Sequence, residues 1–221
     1  EVSCHKGVSM EKVLQGLLKF QEEVFLQKKA LFSSLSGQQT PRVLFVTCSD
    51  SRIDPSLLTQ TEPGELFIIR NAGNLIPTYG AAIGGSTATL EYGVSVLQVK
   101  DIIVCGHTDC GAMKALLHPE KLQDLPAVKA WLQHADTTVR IVKDHYAHLQ
   151  GDELFAATIR ENVLVQLDHL KTHPAIASRL RKGNLRLHGW VYSIGTGDVW
   201  VYDWEKKDFV NPREHIQTQL A

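Results

Sequence analysis

Between Glu11 and Leu35 the apolar residues Val13, Leu14, Leu17, Leu18, Val24, Leu31 and Leu35 recur at close to helical spacing, which predicts an amphipathic helix with room for one break. After Pro41 the pattern changes. Arg42 to Val46 is a near-continuous apolar run that ends at Thr47–Cys48, the pattern of a strand buried on both faces, as in parallel sheets. A second run, Leu66 to Arg70, follows the turn signal Pro63–Gly64. A third, Asp101 to Gly106, follows Ala88 to Val99, which spaces like a helix. Strand, helix and strand in short succession predict βαβ units. Helical patterns then fill roughly 112–148 and 152–172, the latter stopped before Pro174. Leu185 to Ile194 and Val199 to Trp204 flank Gly195–Thr196–Gly197–Asp198, a closing hairpin or a core strand followed by an edge strand. The expected architecture is α/β: a mostly parallel central sheet flanked by helices, with an N-terminal helical extension. No repeat or linker divides the chain, so a single domain is expected over 1–221, with a helical arm at 1–36 and a core at 40–212.

Composition narrows the partners. Of 221 residues, 43% are hydrophobic and 21% charged, and the formal net charge of −1 argues against nucleic acid or a membrane surface. No apolar run approaches the roughly 18 residues of a membrane span. The lack of an export signal makes a cytoplasmic location the expectation. The chain begins with Glu1, however, so Met10 is a plausible start and a removed targeting segment remains compatible. Cys4, Cys48, Cys105 and Cys110 are too few and too uneven for a disulfide scaffold.

The chemistry gathers in two strings, Cys48-Ser49-Asp50-Ser51-Arg52 and His107-Thr108-Asp109-Cys110-Gly111. Each follows an apolar strand, where the carboxyl ends of parallel strands collect functional groups in one crevice. Two thiolates and an imidazole suit zinc, and three protein ligands leave a fourth position for water. Taken alone, a cysteine after a strand is usually a small core hydrophobe. Taken together, these residues make that reading a poor one. Cys105, inside its strand, is expected to be buried and inert, and His118, His134, His145, His148, His169 and His173 to face solvent.

The strings CSDSR and GHTDCGA, with the intervening PGELFIIRNAGN and the later LHGWVY, resemble the β-class carbonic anhydrases, closest to the bacterial, cyanobacterial and plant-like branch. The resemblance runs from about Met10 to about Pro212. It implies that Cys48, His107 and Cys110 bind one zinc ion and that water activated there attacks carbon dioxide to give bicarbonate. Asp50 and Arg52 would form a dyad beside the metal: held by Arg52, Asp50 orients the water; released, it becomes a fourth ligand and closes the site. The Gly111 N–H would receive the developing negative oxygen. Gln39 matches a glutamine that reaches in from a neighbouring subunit, and Phe67, Ala72 and Tyr92 match apolar walls around carbon dioxide. The family's allosteric branch has Trp and Gly where this chain has Phe45 and Thr47, although Arg70 and Tyr192 match that branch, so an open site is expected. A homodimer or a larger tetramer or octamer is implied. Two thiolates neutralise zinc, so activity should rise above neutral pH. Hydrolysis of carbon disulfide or carbonyl sulfide at the same zinc is the nearest alternative. A non-catalytic zinc domain is opposed by the missing fourth Cys or His, and a thiol redox protein by the lack of a CxxC motif.

Overall fold

The computed structural model describes residues 7–81 and 84–213. They fall into two compact units divided after Gln39. In the first, α1 (Met10–Lys19) begins where the Ser9 hydroxyl accepts a hydrogen bond from Lys12 N–H. A π-helical turn at Phe20–Val24 and a non-helical Lys28 separate α1 from α2 (Phe25–Gln27) and α3 (Lys29–Leu35). The expected helix is therefore broken twice. Phe20, Phe25 and Phe32 form an aromatic trio with centroids 5.3 to 6.2 Å apart.

The second unit holds a six-stranded sheet in the order β2-β1-β3-β4-β5-β6, made of β1 (Val43–Cys48), β2 (Leu66–Asn71), β3 (Asp101–His107), β4 (Arg186–Tyr192), β5 (Val199–Asp203) and β6 (Asp208–Val210). The first four strands are parallel and the last two antiparallel. The strand after Gly197 is thus part of a three-strand antiparallel end. Its last member, at three residues, is too short for a sequence pattern to announce.

Residues 44–47 of β1 are fully buried, and their side chains alternate between two packed layers. Leu44, Val46, Ile102 and Val104 face the larger layer, beneath α5 (Gly85–Ser95), α6 (Gly111–Leu117), α9 (Gly151–Thr172) and α10 (Pro174–Arg181). Phe45, Ile103 and Cys105 face the smaller one, with Ile53 and Leu58 from around the short α4 (Pro55–Thr59). There Phe45 meets Trp190 edge-on at 5.8 Å.

The stretch read as continuous helix over 112–148 is α6, α7 (Pro126–Leu132) and α8 (Asp136–His145), joined by 3-10 turns. Pro119 and Pro126 each begin a new helical segment, because proline has no N–H to continue the preceding one. α5 begins at Gly85 and ends at Ser95, earlier than its apolar spacing indicates, and the left-handed Gln98 turns the chain into β3.

Three histidines expected at the surface lie deeper. His173 is buried, its Nε2–H donating to Pro77 O at 3.0 Å. His169 is half-buried with Nδ1 2.7 Å from Ile76 O, and His134 is half-buried beside Trp131. His169 lies on α9, His134 in the 3-10 turn before α8 and His173 in the extended link between α9 and α10; His169 and His173 are drawn inward by carbonyls of the distant 76–77 segment.

Candidate metal centre

The connection from β1 leads to one side of the sheet and that from β3 to the other, so a crevice opens where the carboxyl ends of these neighbouring strands meet. Cys48 ends β1 and His107 ends β3. Asp109 adopts the left-handed conformation (φ 60°), and the chain turns so that Cys110 caps α6. One ligand atom from each of Cys48, His107 and Cys110 lies within 4.8 Å of the others, and all three residues are buried.

His107 shows what this space suits. Its Nδ1 lies 2.8 Å from Thr108 O, and an imidazole nitrogen facing a carbonyl must carry the hydrogen. Nε2 is then left with a lone pair, buried and without a hydrogen-bond partner among the described residues. A buried orphan acceptor is costly unless a cation takes it. Two thiols and this lone pair are the soft donor set that zinc prefers, and they number three, as in sites where zinc works catalytically. The residues fit the metal.

The thiol protons are unequal. Cys48 is drawn down to about 4, chiefly because the Cys110 thiol hydrogen-bonds to it, with help from His107 and the Gly73 N–H against the opposing effect of burial. Cys110 is pushed up, first by that same neighbour and then by burial. The pair readily forms one thiolate; a second needs a cation. Burial pulls His107 down, but Cys48, the Thr108 carbonyl and Asp50 outweigh it and the net direction is up. Cys105 is pushed up by complete burial and stays a core thiol.

Asp50 is gripped by Arg52: Nε donates to Oδ1 at 2.9 Å, Nη2 to Oδ2 at 2.7 Å, and the Arg52 backbone N–H to Oδ1 at 3.0 Å. These bonds hold the carboxyl well below the usual carboxylate range. Asp50 Oδ2 lies 3.9 Å from His107 Nε2, so the carboxylate borders the ligand space without filling it. Arg70, on β2, clamps the loop by donating to Cys48 O (3.1 Å), Asp50 O (2.7 Å) and Ile53 O (2.9 Å).

A family model described as carbonic anhydrase matches residues 43–199. A carbonic anhydrase of Synechocystis is 52% identical over 94% of this chain and 76% of its own, and one of Pseudomonas aeruginosa is 47% identical over 96% of each. The solved structure of the β-carbonic anhydrase CcaA superposes with a TM-score of 0.90 at 52% identity, covering 92% of this chain and 99% of that one. The chain belongs to the β-class carbonic anhydrase family.

The remaining site candidates of this carbonic anhydrase separate into near and far groups. Ala72 is near: the next residue, Gly73, donates its N–H to Cys48 Sγ at 3.4 Å. Gly111 opens α6 beside Cys110, and the direction in which a Cβ would point is open space. Phe67 and Tyr92 pair with centroids 6.1 Å apart. Phe67 is registered with Leu44, four residues before Cys48, a rise of about 13 Å toward the amino end of the sheet. The chain therefore does not bring these two rings to its own Cys–His–Cys group. Gln39 is an exposed residue at the end of the first unit.

Sequence reasoning missed the support behind Cys48. Asn162 and Gln166, fully buried polar residues one turn apart on α9, brace the loop that carries Gly73: Asn162 Nδ2 donates to Gly73 O (3.1 Å), and Gln166 Oε1 accepts from Ile76 N–H (2.7 Å). The Thr138 hydroxyl and Gln166 Nε2 satisfy Asn162 Oδ1, and Trp131 Nε1 donates to Ala72 O. Two amides at positions i and i+4 amid Ile159, Val163, Leu167 and Leu170 were the available signal.

Proposed function

We propose that this enzyme holds one zinc ion through Cys48, His107 and Cys110 and uses it for the reversible hydration of carbon dioxide to bicarbonate and a proton. The observation that carries the reading is His107 Nε2, a buried lone pair with no hydrogen-bond partner among the described residues, grouped with two thiols. Zinc supplies Lewis acidity, making water nucleophilic near neutral pH and neutralising developing negative charge. The chain's own residues do the rest. Asp50, held ionised by Arg52, accepts a hydrogen bond from the reacting water and fixes its orientation. The Gly111 N–H, on the open side of Cys110, receives the oxygen that gains charge. Because Arg52 keeps Asp50 aside, the site is read as open.

The distance of Phe67 and Tyr92 from the metal group supports a site completed by a second copy. With Gln39 they would supply the neighbour's pocket, an apolar lining that suits a substrate without net dipole. A β-carbonic anhydrase pair from Sordaria macrospora, one of which is 26% identical to this chain, is tetrameric, in keeping with a homo-oligomer here.

The test is stopped-flow hydration of carbon dioxide on zinc-quantified protein across about pH 6.5 to 9. Activity that scales with zinc content and climbs with pH supports the assignment. A protein that carries stoichiometric zinc and stays inactive throughout overturns it.

A further inference from the structure

The grip on Asp50 has a second anchor. Arg52 is only two residues from Asp50 and its side chain is 44% exposed, so its two-pronged contact lasts only while a long, solvent-accessible side chain is kept from turning away. A second contact does this. Nη1 donates to Asp109 Oδ2 at 2.7 Å and Nη2 to Asp109 O at 3.3 Å, while Asp109 Oδ1 takes the Lys114 ammonium. All three nitrogens of Arg52 are thereby engaged, and the plane of the fork is fixed between two carboxylates.

Asp109 sits between two of the three metal-site residues, and its backbone is left-handed at φ 60°. Aspartate is among the few residues with a Cβ that accept this conformation. The position thus joins two demands: a backbone that turns Cys110 toward His107, and a carboxylate that reaches Arg52.

We infer that Asp109 is a positioning residue that pins Arg52 against Asp50 and so keeps the Asp50 carboxylate off the metal. The inference rests on the zinc reading given above. Without Asp109, Arg52 is free to turn into solvent. Asp50 then loses its cationic partner while its Oδ2 stays within 3.9 Å of a ligand nitrogen, and the metal becomes the strongest positive charge in reach.

Cobalt(II)-substituted protein gives a readout that needs no turnover. Azide binding to the metal is followed by visible absorption at one fixed pH, in wild type, Asp109→Asn and Asp109→Gly, beside carbon dioxide hydration by the zinc forms. Glycine keeps the left-handed backbone and deletes the carboxylate; asparagine keeps one acceptor for Arg52. If Asp109→Gly leaves the site open only about a tenth of the time, azide affinity falls about tenfold, because apparent affinity scales with the competent fraction. kcat should fall by the same factor, with KM little changed and one metal still bound per chain, and Asp109→Asn should lie between. Unchanged azide affinity in Asp109→Gly overturns the inference. So does loss of metal with undiminished activity per zinc bound, which would make Asp109 a residue of the turn alone. Failure of the carbonic anhydrase reading shows separately, as a metal-loaded wild type that hydrates no carbon dioxide, and the azide comparison still decides the role of Asp109 in that case.

Discussion

Replacing Gly106 by alanine places a methyl group in a space already taken by α9. Built on the backbone, the new Cβ lies 2.9 Å from Val163 Cγ2 and 3.4 Å from Ile159 Cγ2. Val163 is fully buried, and its other methyl, Cγ1, is 3.0 Å from where a Cβ would stand on Gly189 of β4. Turning its χ1 away from one strand drives it toward the other, and a helical valine has essentially one rotamer. The helix must move, or the contact must stay compressed, which costs about 2–3 kcal/mol, the upper part of the range for an overfilled core. An extra buried methyl and a less flexible unfolded chain return roughly 1 kcal/mol. A net loss of about 1–2 kcal/mol lowers the melting temperature of a protein of this size by roughly 3–6 °C. Thermal unfolding followed by circular dichroism, at one protein concentration and equal zinc content, measures it. In a Val163→Ala background the compression is gone and the return remains, so the same change should stabilise by roughly 1 kcal/mol, a coupling of about 2–3 kcal/mol in the double-mutant cycle. A Gly106→Ala protein as stable as wild type, or strictly additive effects in the cycle, refutes the claim that the two strands hold Val163 fast.

Asp50→Asn should retain zinc yet lose about 10²-fold or more in kcat, read by stopped flow, since the charged acceptor is what orients water. In metal-free protein, thiolate absorbance near 240 nm should persist as the pH is lowered to about 4, owing to Cys48, and Cys48→Ser should abolish that acid-stable signal. His173 is held below its ordinary pKa, chiefly by burial, so the unfolded chain binds more protons near that value. Stability should therefore be full above about pH 6.5 and decline as pH falls below it. Urea midpoints from pH 5 to 7.5 check this, and His173→Phe should flatten the slope.

The strands and the meeting of Cys48, His107 and Cys110 were legible because each rests on a local pattern. Leu44 to Val46 and Ile102 to Val104 are apolar on both faces, and Cys48 and His107 end the strands that contain them. The parts that escaped depend on partners far along the chain. His173 looks like a polar residue before a proline until Pro77 supplies its carbonyl. Phe67 and Tyr92 were placed in the walls of the site by family resemblance; only the register of β2 on β1 sets Phe67, with Tyr92 beside it, at the other end of the sheet. Asn162 and Gln166 look like interruptions of an apolar face until the loop from Ala72 to Pro77 is laid against them. The division of 112–148 was within reach, since Pro119 and Pro126 were in plain view.

The imidazole of His107 has no exposed surface. Its ring is tethered by a carbonyl of the very next residue, so its orientation does not await the metal. Any ion held there would meet an imidazole already in place, with no ring to reorient and no rotamer to freeze, so the ordering cost of this ligand is met when the chain folds and not when the metal is captured.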